Sequence, residues 1–152
     1  MDCKIRKARQ YEAEILSNLA LRSKAYWGYS EDFMEACVRE LTYSPDRIQN
    51  NHFFVAETND SIVGFYALDR LSSTEIELDA LFVDPASIGK GYGRCLIEHA
   101  KITATNLGAS ILVIQADPNA KNFYLAAGGI LTGEKESASI SDRYLPTFIL
   151  HL

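Results

Sequence analysis

The spacing of apolar residues in the first third of the chain predicts two helices. Residues 10–23 repeat apolar side chains at helical spacing, which predicts a first helix. Ser30 stands where a helix N-cap belongs, and two acidic residues follow it in the first turn. We therefore expect a second helix to begin after Ser30 and to close before Pro45.

Short β-rich runs predict the first strands of a sheet. Residues 5–8 form a short extended piece, and residues 53–57 and 62–68 flank a polar turn, as in a β-hairpin. Residues 75–83 alternate acidic with apolar side chains, which is the pattern of a strand with one face in water.

The second half of the chain predicts a βαβ unit with a glycine turn. Residues 89–93 are rich in glycine and precede a long amphipathic helix that we expect to end near Leu107. Residues 110–116 are a nearly continuous apolar run, typical of a strand buried on both faces and paired in parallel with the strand before the helix. Three more elements complete the prediction: a short helix at about 120–127 and antiparallel strands at 130–136 and 147–150.

Length and composition restrict the class of protein. The 152 residues contain no repeat and no linker-like tract, so we expect a single domain over residues 1–152. With 15 basic and 20 acidic residues the formal net charge is -5, which argues against a nucleic-acid partner. No apolar run approaches the roughly 18 residues of a membrane span, and the N-terminus is charged, so we expect a cytoplasmic protein without a membrane partner.

The cysteines and histidines show no metal-ligand spacing. Cys3, Cys37 and Cys95 are widely separated and include no CxxC pair, and the three histidines are unclustered. We therefore predict neither a metal site nor a disulfide framework.

The glycine turn is the strongest chemical signal. A strand, a glycine-rich turn and a helix N-terminus place several backbone N–H groups around one anion-sized space, so a phosphate group is the expected ligand. The turn lacks the GK[ST] ending of a triphosphatase loop and the GxGxxG of a dinucleotide fingerprint. A tight turn without any ligand is the alternative.

Two spaced motifs resemble the GNAT superfamily of N-acetyltransferases. That family has the acetyl-CoA signature Gln/Arg-x-x-Gly-x-Gly/Ala between a strand and a helix, and here residues 88–93 read IGKGYG after the strand-ending LFVDP. Asp117-Pro118-Asn119, followed by Phe123-Tyr124, is similar to the family's Asn-plus-Tyr helix. The chain departs from the pattern at Ile88, where the family has Gln or Arg, and at Gly129, where an aromatic is more usual. The order of predicted elements agrees with the family over essentially the whole chain.

The resemblance implies a fold and an activity. The fold is α/β (α+β), with a mixed, mostly antiparallel sheet, a central splayed parallel strand pair and flanking helices. The activity is transfer of an acetyl group from acetyl-CoA to a primary amine by direct attack in a ternary complex. A non-catalytic acyl-CoA-binding regulatory module and transfer of a bulkier acyl group are the alternatives.

The resemblance also implies which residues bind the cosubstrate. A free backbone N–H at the end of the strand would hold the thioester oxygen, and the turn would hold the diphosphate. Asn119 either bonds the pantetheine arm or caps the short helix. The expected cofactor-binding residues are Leu81, Phe82, Val83, Gly89, Lys90, Gly91, Tyr92, Gly93, Arg94 and Asn119.

Two side chains match the catalytic positions of the family. Glu77 is the candidate base that takes a proton from the acceptor amine, with Glu75 and Asp79 projecting to the same face; a solvated strand face is the alternative. Tyr124 matches the tyrosine acid that protonates the departing thiolate, although a tyrosine in an apolar helix is also often a core residue.

The acceptor side is the least defined. Tyr26, Trp27 and Tyr29 lie in the segment that commonly lines the acceptor in this family, where they would either attract a cationic amine or pack two helices on the sheet. Residues 137–145 either contact the acceptor or bridge two subunits, so a homodimer stays open. The sequence does not decide between a small-molecule amine and a protein amine.

Overall fold

Seven strands form one sheet in the computed structural model, which describes residues 3–152. The strands are β1 (Lys4–Lys7), β2 (His52–Thr58), β3 (Ser61–Arg70), β4 (Glu75–Val83), β5 (Ile111–Gln115), β6 (Ile130–Glu136) and β7 (Tyr144–His151). Their order is β1-β2-β3-β4-β5-β7-β6, and every neighbouring pair is antiparallel except β4 with β5. The mixed, mostly antiparallel sheet with one central parallel pair is therefore confirmed.

In the described part of the chain, five α-helices flank this sheet. They are α1 (Ala13–Ala25), which follows one 3-10 turn, α2 (Glu31–Cys37), α3 (Pro45–Asn50), α4 (Tyr92–Asn106) and α5 (Lys121–Ala126). None of the helices in residues 3–152 combines the length and the apolar character that crossing a bilayer requires.

The segment after Ser30 contains one helix more than the sequence predicted. The Ser30 side chain accepts a hydrogen bond from the N–H of Phe33 at 3.1 Å, which confirms the cap of α2. α2 closes before Pro45, as expected, but the sequence analysis missed α3, which Pro45 begins and Ser44 caps. Proline can begin a helix as well as end one. Its fixed φ is helical, and an N–H group at the first helical position would have no acceptor within the helix.

Each face of the sheet carries its own core. Leu96 and Ala100 of α4 pack on one face together with Leu112 of β5. On the other face, Leu16 and Leu19 of α1 pack over β2, β3 and β4 rather than β5. For this reason β5 alternates buried with half-buried side chains, and the expectation that it is buried on both faces was wrong.

The parallel pair separates after four residues. Glu75 to Leu78 of β4 pair with β5, after which β4 continues along β3 while β5 continues along β7. The register between β3 and β4 shifts so that Asp79 has no partner in β3, which makes it the extra residue of a β-bulge. The carboxyl ends of β4 and β5 therefore diverge and leave a wedge-shaped opening.

Gly129 is required by close packing. A Cβ atom at this position would lie 2.8 Å from the carbonyl oxygen of Tyr124 and 3.3 Å from Cδ1 of Phe148. The φ angle of Gly129 is not positive, so the constraint is steric rather than conformational. This close approach explains why glycine stands where the family pattern more often has an aromatic residue.

We expect Gly129→Ala to lower the free energy of unfolding by about 1–3 kcal/mol, because the backbone of α5 must shift to admit the methyl group. Chemical denaturation at equilibrium measures this, with the exposed Ser73→Ala as the matched control. Equal midpoints for the two variants would contradict the steric role of Gly129.

Candidate active site

A cleft of about 800 Å³ opens where β4 and β5 diverge. It is bordered by the end of α1, the α2–α3 segment, the second half of β4, the glycine turn and α5. Of the predicted site residues it brings together Tyr26, Trp27, Leu81, Phe82, Val83, Gly89, Gly91, Tyr92, Gly93, Arg94, Asn119 and Tyr124. Glu77, Lys90 and Tyr29 do not line it.

The glycine turn presents a run of free backbone donors to this cleft. Within residues 3–152, the N–H groups of Gly89 through Arg94 donate to no protein acceptor. Gly89 and Gly91 have φ of 83° and 87°, a conformation that favours glycine and lets successive N–H groups converge. The positive end of the α4 dipole adds to them, so the turn can hold a diphosphate.

Gly93 allows α4 to pack closely against α5. A Cβ atom here would lie 3.1 Å from Cε1 of Phe123, and Phe123 precedes Tyr124 in the same helix. The glycine therefore brings the Tyr124 helix against the start of α4.

Backbone direction distinguishes the three candidate donors at the end of β4. The N–H of Asp84 donates to the carbonyl oxygen of Val63 in β3 at 2.8 Å. Because N–H groups alternate sides along a strand, the N–H of Phe82 also points toward β3. The N–H groups of Leu81 and Val83 point the other way, into the opening beside β5, whereas Phe82 contributes only its side chain to the cleft.

Tyr124 is buried but has a free hydroxyl. The residue is 6% exposed, and within the described chain its hydroxyl makes no hydrogen bond. No fully buried side-chain oxygen in residues 3–152 lacks a partner, so this hydroxyl must reach the solvent of the cleft. Burial, and then the negative charge of Asp117, raise the pKa of Tyr124, which keeps the hydroxyl protonated at neutral pH.

Glu77 belongs to an acidic cluster beside the cleft. Carboxylate oxygens of Glu77, Asp69 and Asp79 lie within 4.8 Å of one another, and Asp79 is the member that lines the cleft. Burial raises the pKa of Glu77, and the charges of Asp79 and Asp69 raise it further. Such a spacing would allow a shared cation, but acidic clusters are common without one, and these three side chains do not by themselves define a metal site.

Asp79 is tied to α3. Its carboxylate accepts a hydrogen bond from the Arg47 guanidinium and forms an ion pair with it. Burial raises the pKa of Asp79 and outweighs the opposing effect of Arg47. Glu77 and Asp79 therefore bind a proton more readily than exposed carboxylates do.

Asp117 connects the end of α1 with the loop before β7, although no motif indicated this role. At the end of β5 it accepts hydrogen bonds from Lys24 at 2.6 Å, from the Tyr29 hydroxyl at 2.9 Å and from Arg143 at 3.2 Å. Burial opposes ionisation, but the hydrogen bond from Lys24 lowers the pKa of Asp117 overall. The Asn119 side-chain amide donates to the Tyr29 hydroxyl at 2.9 Å.

The three aromatic residues predicted on the acceptor side do not act together: two line the cleft and the third does not. Tyr26 and Trp27 line the cleft and stand 54% and 47% exposed. Tyr29 instead stacks on Phe33, with the two ring centres 4.0 Å apart, and its hydroxyl donates to Asp117. The segment at 137–145 also lies over this end, because Ser139 bonds Glu40 and Arg143 bonds Asp117.

The fold and sequence have clear relatives. The family model "Acetyltransferase (GNAT) domain" matches residues 49–128. The peptidyl-lysine N-acetyltransferase YjaB of Salmonella typhimurium is 32% identical over 142 residues, which covers 92% of each chain. The chain belongs to the GNAT acetyltransferase family. It is therefore an acetyl-CoA-dependent acetyltransferase.

Two further similarities agree with this family. The 5-NmdU N-acetyltransferase of Pseudomonas phage PaMx11 is 28% identical over 132 residues, covering 86% of this chain and 89% of the relative. The crystal structure of the PaiA N-acetyltransferase of Thermoplasma acidophilum in complex with coenzyme A has a TM-score of 0.81 at 22% identity, with all of both chains covered. This second likeness supports the fold.

The raised pKa of Glu77 predicts a pH-dependent cost in stability. A carboxyl group whose pKa is raised on folding destabilises the protein increasingly as pH rises from its ordinary value of 4.5 through the folded value. We expect Glu77→Gln to raise Tm at pH 7 and this gain to vanish below about pH 4. Calorimetry at both pH values measures it, with the exposed Glu14→Gln as control; a gain equal at both pH values would contradict the argument.

Proposed function

We propose that the protein transfers the acetyl group of acetyl-CoA to a primary amine, which attacks the thioester directly while both substrates occupy the cleft. The observation that carries this proposal is the run of six free N–H groups at the glycine turn, which faces the same cleft as the diverging ends of β4 and β5. A diphosphate on the turn directs the pantetheine arm into the opening between the two strands.

The backbone of Gly89 through Arg94 and the Arg94 guanidinium bind the diphosphate. Lys90 is exposed on the outer side of the turn and contributes long-range positive charge only. Ile88 lines the cleft but has no polar side-chain group. At this position the family pattern has a Gln or Arg, so here the backbone N–H groups bind the diphosphate without that side chain. Asn119 faces the pantetheine path while its amide bonds Tyr29.

The N–H groups of Leu81 and Val83 stabilise the thioester oxygen as negative charge develops on it. The amine nitrogen forms a bond to the carbonyl carbon and the bond to sulfur breaks. The proton lost by the amine passes to the Glu77–Asp79 carboxylates, and the Tyr124 hydroxyl supplies the proton for the departing thiolate.

The names of the relatives support an amine as acceptor. One relative is named for acetylation of peptidyl-lysine and another for acetylation of 5-NmdU. A lysine side chain is the first acceptor to test, because the relative named for it is 32% identical over 92% of this chain. The mixture of apolar wall and acidic cluster also suits an alkyl amine.

Thermal denaturation with acetyl-CoA, CoA and longer acyl-CoAs tests the cosubstrate, with ATP and NAD as controls. At a concentration of about 100 times Kd a ligand stabilises by roughly 2.7 kcal/mol, so we expect a rise in Tm of several degrees with CoA compounds alone. CoA release with a blocked single-lysine peptide then tests transfer. Binding without release would favour the non-catalytic module, and faster release from longer acyl-CoAs would favour a bulkier acyl group.

We expect Tyr124→Phe to lower kcat by roughly 10² to 10⁴ and to leave the Tm shift with CoA nearly unchanged, because only the proton donor is lost. Steady-state CoA release and the thermal titration measure the two effects. Tyr11→Phe, which removes an exposed hydroxyl remote from the cleft, is the matched control. An unchanged kcat in Tyr124→Phe would remove the acid role.

A further inference from the structure

Tyr43 is a second buried tyrosine with a free hydroxyl. The residue lies between α2 and α3, is 5% exposed and lines the end of the cleft away from the glycine turn. Its hydroxyl makes no hydrogen bond within residues 3–152, yet no fully buried polar side-chain atom there lacks a partner. The hydroxyl therefore reaches the cleft, just as that of Tyr124 does at the other end.

The ring of Tyr43 is held firmly. It packs edge-on against Phe53 at 5.4 Å and against Phe65 at 5.5 Å, and its backbone N–H donates to Ser17 Oγ at 2.9 Å. None of these contacts uses the hydroxyl. The hydroxyl is therefore available to water or to a ligand in the cleft, while the ring is fixed by packing.

Tyr43 stands next to the only carboxylate of the acidic cluster that lines the cleft. The Arg47 guanidinium lies 5.1 Å from the centre of the Tyr43 ring and is ion-paired with Asp79. Arg47 thus contacts both the ring of Tyr43 and the carboxylate of Asp79. Asp79 is the bulge residue of β4 and lines the cleft, whereas Glu77 does not.

We infer that the Tyr43 hydroxyl and the Asp79 carboxylate hold the acceptor amine, each accepting a hydrogen bond from one of its two N–H groups. This inference rests on the proposed function. A neutral primary amine has two N–H groups and one lone pair, so two acceptors fix where the lone pair points. The site therefore selects primary over secondary amines, because a secondary amine has only one N–H once it is neutral.

The test compares two acceptors in two variants. The acceptors are a blocked peptide with one lysine and the same peptide with ε-N-methyl-lysine. In Tyr43→Phe we expect kcat/KM for the lysine peptide to fall about tenfold, KM for acetyl-CoA to stay constant and the preference for lysine over N-methyl-lysine to shrink by a similar factor. Tm should change little, because the ring keeps its contacts and the hydroxyl has no protein partner.

Tyr66→Phe is the matched control. Tyr66 is also buried, but its hydroxyl bonds His99 at 2.7 Å and Thr103 at 2.9 Å, on the opposite face of the sheet. Its loss should lower Tm and leave the preference between the two peptides unchanged. Asp79→Asn should reduce kcat/KM as well. In the double variant the fold-loss in kcat/KM should be smaller than the product of the two single losses, because both groups hold the same amine.

An unchanged kcat/KM in Tyr43→Phe, an equal loss with both peptides, or losses that multiply in the double variant would each overturn the inference and leave the proposed function standing. Wild-type protein that gains Tm with acetyl-CoA but releases no CoA with either peptide would overturn the proposed function, and the inference with it.

Discussion

The separation of β4 from β5 is the constraint on which the rest of the site depends. The two strands pair over only four residues, after which each follows a different antiparallel neighbour. Backbone N–H groups that would otherwise belong to a continuous ladder then face an open cleft. Burial of both faces of the sheet by α4 and α1 stabilises this otherwise unpaired edge.

The cleft has opposite electrostatic character at its two ends. The glycine turn and the start of α4 offer donors and a positive dipole, which suit a diphosphate. The far end offers the carboxylate of Asp79, with Glu77 beside it outside the cleft, and burial raises the pKa of both groups. The turn therefore favours an anion, whereas the acidic end favours a cation.

Asp117 connects three separate segments of the chain beside the cleft. It stands at the tip of β5, holds the end of α1 through Lys24 and the final loop through Arg143, and carries the turn that contains Asn119. Its ionised state is secured by those cations, so the network persists as a structural unit. Burial raises the pKa of Tyr124, and the charge of Asp117 raises it further, so the network also acts on this hydroxyl.

The sequence alone predicted most of the strands, the parallel pair and the glycine turn, because local patterns encode them, whereas the cofactor role of the turn stays a prediction. The glycines from Gly89 to Gly93 closely follow β4, the Tyr124 helix follows β5, and each of these elements is predicted by local spacing and turn chemistry. Tyr43, Arg47 and Asp79 come from α2–α3 and from a bulge in β4, and only tertiary packing brings them together. No local pattern shows a bulge that depends on two strands, or a hydroxyl whose only distinction is that it lacks a partner. The tertiary structure alone decided that these side chains are neighbours, because their proximity depends on the register of distant strands and not on positions close in sequence.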